Sequence, residues 1–218
     1  MTLLDTPVRD AAWAALDFES AGAARGRTDE PVQVGMAVWR GAEIGDIFRS
    51  YINSPVSITR AARSVHGIGE AHLEGAPRMA ALWPEFKARL AGSIIVAHGA
   101  GTERRFLRAF PLHGFGPWVD TLALARALLP DLRDHALATV IGACGVGDKV
   151  RAICPHFDWH DALFDAVASL VFLRHVVGAL GLENAPVGQL LNFDTSPYHR
   201  RRAVLRVARK AGWEPSAG

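Results

Sequence analysis

Ser93-Ile94-Ile95-Val96-Ala97-His98-Gly99-Ala100-Gly101-Thr102-Glu103-Arg104-Arg105-Phe106-Leu107 decides how the rest of the chain is read. Ser93 to Ala97 is a short, mostly apolar run of the kind that forms a strand buried under helices. Small residues then make a turn, and Thr102 to Phe110 is helical in pattern. Upstream the texture differs. Ala11 to Leu16 runs apolar into Asp17, as a buried strand ending at a polar edge would. Val32, Val34, Met36 and Val38 alternate with other residues at period two, which predicts a half-buried strand. A third strand is expected within Glu43 to Ile52, so the first fifty residues read as an antiparallel meander. Met79, Leu82, Trp83, Phe86 and Leu90 recur at helical spacing before Gly92, a stop signal. Downstream, Trp118-Val119 leads as a short strand into Asp120. Thr121 to Leu129 and His135 to Cys144 read as short helices, and Ala162 to Leu180 is the longest helical pattern. A meander followed by alternating strands and helices predicts an α/β fold, one mixed sheet with helices packed on it.

The chain has 218 residues, half of them hydrophobic and 21% charged, which suits one domain with an appendage and excludes intrinsic disorder. A formal charge of +2 excludes a histone-like polycation. The charge is uneven, however. Residues 181–218 hold six Lys/Arg against three acids, whereas residues 1–180 hold 18 against 19. The reading is therefore a domain over 1–180 and a basic extension over 181–218. Two cysteines, Cys144 and Cys154, exclude a disulfide scaffold and fit a reducing compartment. Asp5 and Asp10 near the start do not read as a signal peptide, and apolar runs such as Ala166 to Leu173 are too short for a bilayer. The expectation is a cytoplasmic protein with no membrane partner.

Three acidic elements carry chemistry. Asp17 and Glu19 stand at i and i+2 on a strand, so both carboxylates project to one face. Like charges so close repel unless a cation sits between them, and hard oxygen ligands favour Mg²⁺ or Mn²⁺. Taken alone, the pair also describes a solvated strand end. Glu103 is the only acid between Phe86 and Val119; alone, it is an ordinary acid in a helix's first turn. His160-Asp161-Ala162-Leu163-Phe164-Asp165 opens the long helix. Residues at i and i+5 lie about 140° apart on a helix, so His160 belongs in the preceding loop, with Asp161 near the N-cap. A histidine beside a fixed carboxylate suits a general base next to a metal ligand; a capping Asp with a solvated neighbour is the bland alternative.

In order and spacing, Asp17-Phe18-Glu19, the Ala97-His98 turn with Glu103, Asp120-Thr121-Leu122 and His160-x4-Asp165 together resemble the DEDDh 3′–5′ exonucleases. That family includes the proofreading subunit of bacterial replicases and RNase T. Tyr51-Ile52-Asn53-Ser54-Pro55, Val65-His66-Gly67-Ile68, Gly75-Ala76-Pro77 and His135-Ala136-Leu137-Ala138 extend the likeness over about residues 11–180. The resemblance implies an RNase H-like fold with a five-stranded mixed sheet flanked by helices. It implies two divalent ions, Mg²⁺ or Mn²⁺, held by Asp17, Glu19, Glu103 and Asp165, with His160 as base. Release of 5′-nucleotides from DNA or RNA 3′ ends, single-stranded for preference, would follow, with activity rising through about pH 6 to 8. Ser20, His66, Ile68 and His98 would lie near the substrate, with a packing turn as the other reading of His66 and Ile68. Phe18 would point its side chain away from the metals into the core and approach the substrate through its backbone. A homodimer is compatible with the family. Departures are Glu103 where the family usually has Asp, Gly99 in place of Asn, and Ser20-Ala21 in place of two Thr. A nucleic-acid-binding module with a weakened or retired site is the alternative function.

Rival motifs stand beside this reading. Cys154, His156 and His160, with Cys144 nearby, are legitimate zinc ligands, although Pro155 interrupts them and no Cys-x-x-Cys exists. Gln189-Leu190-Leu191-Asn192-Phe193 faintly resembles a peptide that docks on a sliding clamp, and an amphipathic segment packed on the core is the other reading; a sliding clamp or a polymerase is the candidate protein partner. Arg200 to Lys210, with Arg202, Arg206 and Arg209 on one helical stripe, suits either a nucleic-acid backbone or a solvated face.

Overall fold

A computed structural model describes residues 2–24, 26 and 28–210. The meander is β1 (Trp13–Ser20), β2 (Pro31–Arg40) and β3 (Glu43–Tyr51), followed by α1 (Arg60–His66), α2 (Glu70–Leu73) and α3 (Trp83–Leu90). Alternation begins at β4 (Ile94–Ala97), then α4 (Gly101–Phe106), β5 (Trp118–Asp120), α5 (Thr121–Leu128), α6 (Leu137–Ala143), α7 (Gly147–Ile153), α8 (Ala162–Leu180) and α9 (Ser196–Lys210). One five-stranded sheet has the order β3-β2-β1-β4-β5, with the first three strands antiparallel and β1, β4 and β5 parallel. This is the mixed sheet of an RNase H-like fold.

β1 runs to Ser20, so Asp17 and Glu19 lie on it near its end, as expected. One expectation about the strands is corrected. β2 is buried on both faces from Pro31 to Trp39. Val34, Met36 and Val38 pack with Phe86 and Phe106 on one side, while Ala37 and Trp39 join α8 on the other. The intervening residues face a helix, not solvent, and Gly35 and Ala37 among them are small enough to admit it. Gly35 is the extreme case, since a Cβ there would lie 2.1 Å from the Ala162 carbonyl carbon and the Leu163 nitrogen.

α8 is apolar nearly all round and buried, as a helix laid across a sheet must be. Its 19 residues have the length and hydropathy of a membrane span, but 67% of its apolar window is buried inside the fold, which identifies a core helix. The same face of β1 that packs Trp13 and Ala15 under α8 carries Asp17 and Glu19 further along.

The extension is part of the fold as far as Phe193. Val187 and Leu190 are fully buried in the main core, with Leu191 and Phe193 packed against it. The backbone of residues 183–187 hydrogen-bonds that of Thr6, Val8 and Arg9. The clamp-like stretch therefore turns its apolar side chains inward. α9 covers the basic run and leans on α5 through Tyr198, which stacks edge-on with His135 and lies under Arg126. The Arg209 side chain of the expected stripe and residues 211–218 lie outside the described residues.

Candidate active site

β1 positions Asp17 opposite Gly35 of β2. Because Gly35 has no side chain, the start of α8 sits directly on the sheet there, bringing Asp165, in the first turn of α8, over β1. Ligand atoms of Glu19, His160 and Asp165 all fall within 4.8 Å of one another. His160 is exposed, precedes the helix and has φ of +66°, a strained value for a residue with a side chain. Its backbone N–H donates to Asp165 Oδ2 at 3.3 Å. The loop position expected for His160 and the N-cap expected for Asp161 are both present: the Asp161 carboxylate accepts from the Leu163 N–H.

Glu103 enters from the first turn of α4 and is 4% exposed. Asp120 holds that turn in place. Its carboxylate accepts from the Gly99 and Ala100 N–H groups at 3.0 and 3.2 Å while capping α5 through Leu122 and Ala123. Asp120 belongs to the recognised motif, but its building role needs the folded chain to be seen.

The electrostatics are those of buried carboxylates crowded together. Burial pushes Glu19 up to about 8, with Asp165 and Asp161 adding repulsion. Burial holds Glu103 at about 7, with Asp120 pushing it further up. Burial also raises Asp165 to about 7, opposed by the His160 N–H and reinforced by Asp161 and Asp158. Asp17 lies well above the carboxylate range because it is buried and surrounded by Asp165, Glu103 and Glu19. Glu103 Oε2 and Asp165 Oδ1 are buried with no hydrogen-bond partner among the described residues. Orphaned anionic oxygens at this density fit a divalent cation bound by oxygen ligands.

A pH dependence follows. An acid whose pKa is raised by folding contributes stability that is full below its unfolded pKa and lost as pH rises through the folded value. For Glu19, Glu103 and Asp165 that window runs from the ordinary carboxylate range to about 8. In EDTA, the melting temperature is expected to fall by on the order of 10 °C between about pH 5 and about pH 8. Millimolar Mn²⁺ should restore most of the loss at the higher pH and little at the lower. A cation effect equal at both pH values would contradict the cluster.

The expected substrate residues separate. Phe18 points to the opposite face of β1, stacked on Phe86 and edge-on to Phe106, because successive strand side chains alternate. Its side chain is core. Ile68 is 3% exposed and packs with Ala21, Val32, Ile58 and Leu73. His98 is held at both ring nitrogens, by the Thr121 hydroxyl and the His135 carbonyl, so its ring braces two loops. His66 accepts the Ile68 N–H at Nδ1, which leaves Nε2–H to donate to the Ser20 carbonyl. Ser20 thus serves through its backbone. His66, Ile68 and His160 share the wall of a cavity of about 260 Å³ with Gln33, Arg49 and Tyr51. Zinc finds no support: Cys154 is buried in the core, and Glu19, His160 and Asp165 form the one group of potential metal ligands among the described residues.

Residues 14–172 match the family model described as Exonuclease (RNase_T). A PolC-type DNA polymerase III from Thermotoga maritima is 36% identical over 178 residues, covering 79% of this chain and 12% of the relative. An epsilon-like DNA polymerase III subunit protein from Rhodobacter capsulatus is 29% identical, with 79% and 25% covered. The chain thus spans about an eighth of the length of the PolC-type relatives and a quarter of the epsilon-like one. Among solved structures, exonuclease X in complex with 5′-overhanging duplex DNA superposes with a TM-score of 0.67 at 20% identity, covering 83% of this chain and 99% of that one. The nuclease domain of 3′hExo, a DEDDh member bound to rAMP, gives 0.64 at 14%, covering 83% and 98%. With its carboxylates and histidine in the family's order on the family's sheet, this chain belongs to the DEDDh 3′–5′ exonucleases.

Proposed function

We propose that the protein is a divalent-cation-dependent exonuclease that releases 5′-nucleotides from single-stranded 3′ ends of nucleic acid. The observation that carries this reading is Glu19, Asp165 and the exposed His160 with ligand atoms within 4.8 Å of one another, beside Asp17, which feels the charges of Asp165, Glu103 and Glu19, with orphaned oxygens on Glu103 and Asp165. Asp17, Glu19, Glu103 and Asp165 would hold two Mg²⁺ or Mn²⁺ ions. When bound, such ions make water more acidic and neutralise charge developing on the phosphate.

The chain's own residues supply the rest. His160, free of any side-chain hydrogen bond among the described residues, takes the proton of a water attacking the terminal phosphorus. The bond from phosphorus to the 3′-oxygen of the preceding nucleotide breaks, and that oxygen takes a proton from solvent. Exposure of His160 allows it to exchange its proton with solvent after each cycle. An unpaired end is the simpler substrate, since a paired terminal nucleotide would first have to leave its duplex to reach the carboxylates.

The test is incubation with 5′-labelled single-stranded DNA and RNA in Mg²⁺, Mn²⁺ or EDTA. A metal-dependent ladder shortening from the 3′ end supports the proposal; binding without shortening favours the nucleic-acid-binding alternative. Glu103→Asp keeps the charge and shortens the reach by one methylene. It is expected to keep or raise the rate of nucleotide release, and a loss beyond about tenfold, over 1.4 kcal/mol, would mean that the site is built around the longer side chain.

A further inference from the structure

We propose that Arg49, on the edge strand β3, is a positioning residue for His160. The inference rests on the exonuclease reading above. The His160 ring has no hydrogen-bonding partner among the described residues, so its direction is set by its backbone, and that backbone is strained at φ of +66°. A catalytic base normally has a third group that orients its ring. Here the orienting contacts fall on the residues around it. Asp161 Oδ1 caps α8, and its other oxygen, Oδ2, accepts from Arg49 Nε at 2.7 Å and from Gln33 Nε2 at 3.1 Å. Gln33 completes the latch by accepting the Ala162 N–H at 2.8 Å. On the other side of His160, the Phe157 ring lies 5.0 Å from the Arg49 guanidinium carbon, while Tyr51 receives it at 4.6 Å and accepts Nη2–H at its hydroxyl.

Arg49 therefore grips the loop at 157 and at 161, with His160 between. Trp159, edge-on to Phe164, ties the loop to α8 but not to the sheet. The bond from Arg49 to Asp161 is 24% and 16% exposed at its two side chains, enough burial to escape most screening. Only a planar guanidinium can donate from Nε and Nη2 and stack on two rings at once, so lysine is not an equivalent.

The experiment compares wild type, Arg49→Lys and Arg49→Met in two readouts. In steady-state kinetics on a single-stranded oligonucleotide, both variants are expected to lose about 10- to 100-fold in kcat with KM changed less than about threefold, the scale of a misplaced base. In a His160→Ala background, Arg49→Met should cost less than about twofold, because its effect passes through a ring no longer present. Independently of activity, the His160 ring resonance should be a single narrow line in the wild type and broadened or split in both variants. Arg49→Lys keeps a cation beside Asp161 and so guards against loss of fold. An unchanged His160 resonance, an equal loss in the His160→Ala background, or a rise in KM alone would overturn the proposal. Since the resonance is read without substrate, a chain that degrades no nucleic acid would fail the exonuclease reading and leave this result legible.

Discussion

Asp17→Asn is expected to reduce nucleotide release by at least about 10³-fold, equivalent to roughly 4 kcal/mol of transition-state stabilisation, while making the metal-free protein more stable. Both halves have one cause. Asp17 is the carboxylate most hemmed in by others, since Asp165, Glu103 and Glu19 all raise its pKa on top of burial. Asparagine is nearly isosteric, removes one of these repelling charges and removes one anionic ligand. In EDTA at about pH 8 the melting temperature should rise by about 5 °C, and the rise caused by Mn²⁺ should largely disappear. A variant that is inactive and also markedly less stable would instead make Asp17 a structural residue. Activity within tenfold of wild type would remove it from the centre altogether.

Gly35→Ala is expected to be the most destabilising single methyl in the protein, by about 3 kcal/mol or more, or about 6–12 °C in melting temperature. The added carbon would meet backbone, not a yielding side chain: Ala162 C and Leu163 N at 2.1 Å and Ala162 O at 2.2 Å. Relief requires α8 to lift from β2. That movement strains the hydrogen bond from the Ala162 N–H to Gln33 and carries Asp165 away from β1, so activity should fall with stability. The distinguishing measurement pairs thermal denaturation with Mn²⁺ addition: a displaced Asp165 predicts a smaller cation-induced rise than in wild type. A melting temperature within about 2 °C of wild type would show that α8 does not sit where the fold places it.

The acidic centre was legible because its members obey local geometry. Asp17 and Glu19 share a face by strand alternation, and the spacing of His160 and Asp165 puts one in a loop and the other on a helix. What supports the centre was not legible, because it acts across the chain. Gln33 and Arg49 reach Asp161 over separations of 128 and 112 residues, and each alone reads as an ordinary polar residue on a strand. Gly35, one of the residues between the alternating valines and methionine, is the gap into which α8 fits, and no local pattern marks it. The core side of Phe18 was legible from the pleat, whereas the ring of His98, read as near the substrate, is held by Thr121 and His135. The boundary at residue 181 followed charge, which marks surface, while Val187 and Leu190 follow the core.

The central claim is that Asp17, Glu19, Glu103 and Asp165 form one cation-binding centre. Calorimetric titration of Mn²⁺ into EDTA-stripped, dialysed protein at about pH 8 tests it most directly. The account predicts saturable binding of two ions per chain, weakened or lost in Asp17→Asn. Absence of binding at millimolar Mn²⁺, or binding unchanged by that substitution, would contradict it.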